Sequence, residues 1–595
     1  MNLIKKFLSV CMSACMVLPL ASGIPEAEKA VTVAKAAEYS YDEDMVMRYT
    51  TMAGNVNTNN AWNNDESFYK ALPVGNGRIG GMVYGNYPDE LIDLNECTVW
   101  SSGPSNNNKS GASNSLKQAQ DLLKSGKYKE ANDLISSKMI GGGEARYQMV
   151  GGLKLSFGHK NVTGYTRLLD MNDAVARTEY TCDGVKYLRE TFVSHPDQVM
   201  VTRITSDKSG SVSMSVGYEN VLNGGASAEG SDTLVANGHG SDDNYVKGAV
   251  YFSSRTKVIP ENGSVSAGSG KLNVSGADSV LILTTVRTNF VDYKTCNADE
   301  KSAAKADLAA AEKKSYDQLY RSHKADYQEL FKRVDVDLGG DSATANSKTI
   351  PTRISEFGKT DDPKMVKILY QYGRYLMISA SRDSQPMNLQ GIWNKYSSPA
   401  WGSKATTNIN YEMNYWPAMT TNLEECFAPF VDKAITMQAN GNETARVHYG
   451  ITEGWVLHHN TDIWNRTAPI DGAWGQWPVG GAWVSNMLYD AYRFNQNDSY
   501  LEKIYPTIKG SASFLNQLMQ TVKIDGQDYS VISPSTSPEL NLPPYSGKNE
   551  AFCDYGVTMD NGITRELFKD VTEASEILGR DETLRRVDIG VEKLN

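Results

Sequence analysis

Long apolar runs are what this sequence most lacks. After Leu20 no stretch approaches the roughly eighteen apolar residues that a membrane-spanning helix needs, so no span is expected. The one apolar run, Phe7 to Leu20, follows Lys5 and Lys6 and is short for a bilayer, which fits a secretory signal. Small-residue cleavage sites occur at Ala21-Ser22-Gly23 and Ala34-Lys35-Ala36, and the charged gap between them favours the later. Residues 1–37 are therefore assigned to a signal peptide, and the mature chain is expected to be secreted or held at the cell surface.

Cysteine is sparse as well. Cys11 and Cys15 fall in the signal, and Cys97, Cys182, Cys296, Cys426 and Cys553 are scattered and odd in number, which excludes a disulfide framework and zinc-ligand spacing. Positive charge is in deficit, with 59 Lys and Arg against 70 Asp and Glu and a net charge of -11. That balance argues against nucleic acid or an anionic membrane as partner and for a neutral or small substrate. Zincin, nucleophile-elbow and Walker patterns are missing. Gly75-x-Gly77-x-x-Gly80 matches a dinucleotide fingerprint in spacing, but Gly81-Met82-Val83-Tyr84-Gly85 reads as strand where that motif needs a helix. No metal and no cofactor are expected.

What is present has two textures. From about residue 45 to 297 the chain reads as β-structure. Val212, Met214, Val216 and Tyr218 alternate with small polar residues, a buried-type run spans Val280 to Val286, and Gly, Asn and Asp punctuate the intervals. Such a pattern suits a large antiparallel sandwich. Ala298 to Val334 is rich in Ala, Lys, Glu and Leu without Gly or Pro and predicts one or two helices. Beyond about 350 the period is helical, with Val484, Met487, Leu488 and Ala491 on one face, then Ile508, Ala512, Leu515 and Met519, then Ile563, Leu567, Val571, Ala574 and Leu578. The expected domains are 38–297 (β-sandwich), 298–349 (helical linker) and 350–595 (helical toroid, its loops gathered at one end around a pocket).

Tryptophan marks where that pocket falls: eight of the ten lie between Trp393 and Trp483. Indole faces stack on the C–H faces of sugar rings, and the neighbouring Asn, Asp, His and Glu can satisfy hydroxyls; the alternative is that these rings are core. Asn408 and Asn410 would share one side of an extended chain and could hold a water between two amides. His458, His459 and Asp462 follow in a second block. Adjacent histidines point apart, so a shared metal is not expected, and a satisfied structural role is open for each. In Ser533-Pro534-Ser535-Thr536-Ser537-Pro538-Glu539 a carboxylate follows a stiff loop. Glycoside cleavage needs a proton delivered to the departing oxygen, which makes Glu539 a candidate general acid, with a solvated or capping role as the alternative.

Together these blocks resemble glycoside hydrolase family 95, the inverting α-L-fucosidases. Ala71-Leu72-Pro73-Val74-Gly75-Asn76-Gly77-Arg78-Ile79-Gly80, Leu94-Asn95-Glu96 and Trp100-Ser101 are similar to its amino-terminal signature. Asn388 to Asn394, Asn408 to Trp416, His458 to Trp464 and Ser533 to Glu539 resemble its catalytic-domain signatures, in the same order. The resemblance implies an antiparallel β-sandwich, a helical linker and an (α/α)6 toroid. It also implies Glu539 as general acid and Asn408 and Asn410 as the residues that orient the attacking water. Trp393, Trp401, Glu412, His458, His459, Asp462 and Trp464 are then the candidates to bind substrate, and the expected partner is a fucosylated oligosaccharide or glycan. The family further implies an Asp well downstream of Glu539 acting behind the asparagines, a His-containing barrel segment and a small carboxy-terminal β-domain, for which no counterpart is found. About 245 residues at roughly 30 per helix and loop give on the order of eight helices, fewer than a six-pair ring requires, so the toroid is expected to be incomplete. An α-L-galactosidase of the same family, a non-catalytic sugar-binding protein and, more distantly, a phosphorylase remain open.

Overall fold

The computed structural model describes residues 41–54, 66–543, 545 and 550–580; the segment assigned to a signal peptide, and Trp62, lie outside the described residues. Two antiparallel sheets form the amino-terminal half. The larger has nine strands in the order Val46–Tyr49, Val162–Asp170, Val175–Cys182, Val185–Ser194, Val199–Ser206, Ser279–Thr288, Tyr251–Glu261, Thr233–His239, Gly225–Glu229. The smaller has seven, in the order Ser264–Gly268, Lys271–Ala277, Val212–Glu219, Gly151–Ser156, Asp89–Glu96, Ile79–Val83, Leu72–Gly75. Alternation does what the sequence implies: Val212, Met214 and Val216 are buried while Ser213 is exposed. The apolar run inside Ser279–Thr288 occupies an interior strand, paired with Tyr251–Glu261 on one edge and Val199–Ser206 on the other; Val280, Ile282 and Val286 face the main core, and Leu283 on the opposite face packs against Leu308 and Ala311.

The sheets pack face to face. Met200 of the larger lies against Gly81 of the smaller, where a Cβ would come within 3.2 Å of its sulfur. The Tyr218 hydroxyl crosses the interlayer to Ser254 (2.8 Å) and Thr256 (2.6 Å).

One expectation is corrected here. The region up to residue 297 is not wholly β, because helices Ser113–Lys124 and Tyr128–Lys138 are inserted between two strands of the smaller sheet. Their apolar residues are spaced for a helix, and Ala119, Leu123, Ala131, Ile135 and Met139 bury against Ala473 and Cys553 of the carboxy-terminal half.

From Glu300 onward the longer elements are helical. Helix Glu300–Ala311 is capped by Asp299, and Tyr316–Phe331 opens with a capping box in which Ser315 and Gln318 satisfy each other's backbone N–H. Pro363–Ala380 starts with Asp362 as N-cap and Pro363 in its first turn. Gly480–Asn495 turns through Gln496 and Asn497 into Asp498–Leu518, an antiparallel pair against which Thr558–Ile577 packs. The periodic faces are buried at Val484, Met487, Leu488 and Ala491, at Ile508, Ala512 and Leu515, and at Ile563, Leu567, Val571 and Ala574, while Met519 and Leu578, just past their helix ends, are half-buried. No helix among the described residues is long and apolar enough to cross a membrane.

The Gly75-Asn76-Gly77 turn explains its glycines. It joins strands Leu72–Gly75 and Ile79–Val83 and abuts the end of helix Pro363–Ala380, with the Gly77 N–H donating to the Ser379 carbonyl at 2.7 Å. A Cβ on Gly75 would lie 2.5 Å from that same carbonyl oxygen, so the two halves approach backbone to backbone.

Candidate active site

The motif blocks meet in space although they are far apart in sequence. Asn388 and Gly391 close a tight turn, and beyond it Asn394 and Asn95 exchange amide bonds, the Asn394 N–H donating at 2.9 Å and the Asn95 Nδ2 donating to the Asn394 carbonyl at 2.8 Å. Trp393 is buried and its Nε1 donates to the Val74 carbonyl at 2.9 Å, so this indole joins the halves and offers no open face.

The next block begins with Trp401, Gly402 and Ser403 in left-handed backbone, and Trp401 is 67% exposed. Ala405 and Thr406 then pair with Thr461 and Asn460. The Thr407 N–H donates to the His459 carbonyl (2.8 Å) and its hydroxyl to the His458 carbonyl (2.6 Å), which seats Asn408 beside both histidines' backbone. Asn408 is buried and Asn410 exposed. Asn410 starts helix Asn410–Tyr415, so the two amides sit on a turn leading into a helix and not on an extended strand. Neither side chain forms a hydrogen bond among the described residues, which leaves both carboxamides able to hold a water.

Glu412, on the same helix, is fully buried, and neither carboxylate oxygen has a partner among the described residues. Burial pushes its carboxyl up to about 8. It lies beneath the exposed turn and has no surface for a sugar.

His458 is fixed at both nitrogens. Tyr449 donates to Nε2 at 2.7 Å, and Nδ1 donates to the Thr467 carbonyl at 2.7 Å. Burial holds this imidazole well below its ordinary range, and it stays neutral. His459 is different: it lies against Gly475, its Nε2 is 3.7 Å from Asp471, and Nδ1 has no partner among the described residues.

Asp462 accepts from the N–H groups of Ala145 (2.8 Å) and Trp464 (2.9 Å), and Arg466 Nη1 lies 3.3 Å away. Arg466 goes on to Ser102 and Ser105, each at 2.7 Å, and the Trp464 Nε1 donates to the Ser101 carbonyl at 3.0 Å. Asp462 and Trp464 thus fasten the helical half to the sandwich. Trp464 is 0% exposed, packed with Trp100 and Tyr147, and its ring has no face to give to a sugar.

Four ionisable residues not singled out by sequence join this cluster. Glu144 is buried beside Asp462 with both oxygens unpartnered among the described residues; burial, then the neighbouring Asp462 charge, raises its carboxyl well above the usual range. Lys433 donates to the Asp462 carbonyl at 2.5 Å, and its burial lowers the ammonium to about 8 against the pull of Asp462 and Glu144. Asp471 is held low, chiefly by the His459 imidazole 3.7 Å away. Lys404, one residue before the Ala405-Thr406 bridge, is near enough to oppose the rise at Glu144 and to favour the charge on Asp471. No motif flags these groups, because their meeting depends on long-range pairing.

The Ser533–Glu539 block is anchored beside the Ala473–Gly475 turn. Ser535 and Thr536 pair with Asp554 and Cys553, and Cys553 reaches the Ala473 carbonyl at 3.2 Å, on the same short turn as the Gly475 that supports His459. The inserted helices brace this loop, with Gln120 donating to the Ser533 carbonyl at 2.9 Å. Beneath it Asp560 accepts from Trp477 Nε1 at 3.2 Å, and burial pushes its carboxyl up to about 7. Glu539 lies at the loop's end, exposed to solvent. An apolar groove of about 630 Å³, lined by Trp416, Met419, Trp483, Met487 and Phe494 among others, runs between helices Gly480–Asn495 and Thr558–Ile577 and includes none of Asn408, Asn410 or Glu539.

Residues 315–593 match the profile described as "Glycosyl hydrolase family 95 catalytic domain", and residues 47–293 that of "Glycosyl hydrolase family 65, N-terminal domain". The chain is 35% identical over 547 residues to alpha-L-fucosidase 2 of Arabidopsis thaliana, covering 86% of this chain and 64% of that protein. It is 31% identical over 546 residues to probable alpha-fucosidase A of Aspergillus niger, covering 86% and 66%. The chain therefore spans about two thirds of the length of these curated relatives. Among solved structures a putative kojibiose phosphorylase from the human microbiome is similar in fold, with a TM-score of 0.57, 10% identity, and coverage of 88% of this chain and 67% of that one.

Proposed function

This chain belongs to glycoside hydrolase family 95, and from that premise we propose that it is a secreted exo-glycosidase removing terminal α-linked L-fucose from fucosylated glycans with inversion. Glu539 gives its proton to the glycosidic oxygen as the C–O bond breaks. Asn408 and Asn410 hold the water that attacks the anomeric carbon from the opposite face. The observation that carries the reading is the convergence of the blocks: Thr407 bonded to both histidine carbonyls beside Asn408, and the Ala473–Gly475 turn touching both His459 and the strand that leads to Glu539. His459 and Asp471, together with the exposed Trp401, supply polar and aromatic contacts for a neutral sugar, while His458, Asp462, Trp393, Trp464 and Glu412 shape the site from behind.

A neutral amide is a weak base, so the asparagines orient the water and an ionised acid nearby must take its proton. Proton NMR of the first sugar released from a fucosylated lactose tests the mechanism. The β-anomer of L-fucose appearing before mutarotation is expected, and the α-anomer would overturn it. Faster release of L-galactose from the matching galactoside would reassign the substrate within the same chemistry.

A further inference from the structure

The sandwich sends one loop, Ser241 to Gly248, toward the helical half. Its tip is a tight turn in which Asp243 and Val246 exchange backbone hydrogen bonds of 2.9 Å each way. The two residues between them, Asn244 and Tyr245, are left-handed, with φ of 51° and 63°. This is the turn for which Asn-Gly is the favoured pair, because the second position also needs positive φ. A tyrosine there costs roughly 1 kcal/mol of backbone strain. Its side chain is fully exposed, so burial does not offset that cost.

The base of the loop is nonetheless rigid. Asn244 donates to the Glu144 carbonyl at 3.0 Å, and the Ser241 N–H donates to Gln148 Oε1 at 2.8 Å. Asp243 accepts from Arg146 Nε at 2.8 Å and from the Ser101 hydroxyl at 2.8 Å. Arg146 and Gln148 then reach the helical half. Arg146 Nη1 donates to the Ser398 hydroxyl at 3.0 Å, Gln148 Nε2 donates to the Ser397 carbonyl at 2.6 Å, and the Arg146 Cγ would lie 3.0 Å from a Cβ on Gly402. Trp401, the residue before Gly402, is 67% exposed and also left-handed, with φ 50°. Two exposed aromatic residues, each on strained backbone, are thus tied through one arginine at the head of the segment that carries Asn408.

A strained turn that presents a large ring to solvent on a braced base is suited to contact with something outside the fold. Exposed Tyr and Trp have the amphipathic faces that stack on sugar rings. We propose that Tyr245 and Trp401 form an outer subsite for a neutral hexose on the leaving-group side of the cleaved bond, which makes Tyr245 a specificity-determining residue supplied by the sandwich. This rests on the exo-fucosidase reading, in which the terminal sugar is held inside and the rest of the glycan extends outward.

The test compares two substrates on the full chain: 2′-fucosyllactose, whose leaving group is a sugar, and α-L-fucosyl fluoride, whose leaving group is a single atom. Tyr245→Gly suits the turn and should leave the melting temperature unchanged or raised. It is expected to lower the oligosaccharide-to-fluoride ratio of kcat/KM by roughly 3- to 10-fold, the range of one aromatic contact, while Tyr245→Phe keeps the ratio. An unchanged ratio in Tyr245→Gly, with an active parent, overturns the subsite alone. A parent that turns over neither substrate overturns the exo-fucosidase reading and the subsite with it.

Discussion

The Nε2 atom of His458 lies 2.7 Å from the hydroxyl of Tyr449, and the two rings stack with an interplanar angle of 11°. Tyr449 donates to the imidazole and itself accepts from Gln476 Nε2 at 2.5 Å, so one hydroxyl serves two buried groups. Tyr449→Phe strands both. It is expected to cost about 1–3 kcal/mol, measured as a fall in the urea midpoint at unchanged slope. A variant as stable as the parent would show that His458 is not held by this bond.

Glu412 should make stability depend on pH. Its ordinary carboxyl value is 4.5 and burial raises it to about 8 in the fold. Between these values the folded chain keeps a proton that the unfolded chain releases, so the contribution is complete below the lower value and is lost as pH rises through the upper one. Glu412→Gln cannot ionise. Relative to the parent it should gain stability on going from about pH 5 to about pH 8, by at most about 1.4 kcal/mol per pH unit. Denaturation curves at both ends of that window check this, and a difference that does not change with pH would contradict it.

Asp462 anchors a buried arginine. Removing it by Asp462→Ala leaves Arg466 without its carboxylate in the contact between the halves, at an expected cost of about 3–5 kcal/mol. Thermal unfolding followed by calorimetry measures it. A loss below about 1 kcal/mol would mean that Ser102 and Ser105 alone hold the guanidinium.

Two glycines should respond in opposite directions. Gly75→Ala would place its methyl 2.5 Å from the Ser379 carbonyl oxygen, where backbone meets backbone and neither side can yield cheaply. Gly373 is exposed inside helix Pro363–Ala380 with open space around it, so Gly373→Ala should stabilise by about 0.5–1 kcal/mol. Paired denaturation curves decide. Equal effects would remove the close approach as the reason for Gly75.

These contrasts also mark what could be read in the sequence. The sandwich was legible at Val212, Met214 and Val216 because alternation reports a strand with one buried face, and the helices at Val484–Ala491 because their period reports a buried stripe. Helices Ser113–Lys124 and Tyr128–Lys138 were not read, although their apolar spacing is helical, because the β-pattern on either side of them was extended across the whole region. Motif composition singled out Asn408, His459 and the Ser533–Glu539 loop as candidates, but it could not separate exposed candidates from buried residues that brace them. Trp464 and Asp462 fall in the second group because of contacts to Ser101, Ala145 and Arg466. Glu144 and Lys433 had no signal, because their meeting with Asp462 is a product of the fold.

The central claim is that Glu539 protonates the departing sugar while the asparagines hold the water. Its most direct test is release of free L-fucose from 2′-fucosyllactose by the purified chain, beside Glu539→Gln. The account predicts release by the parent and a loss of at least about a hundredfold in the variant, with L-fucose still bound. Release undiminished in Glu539→Gln would contradict it.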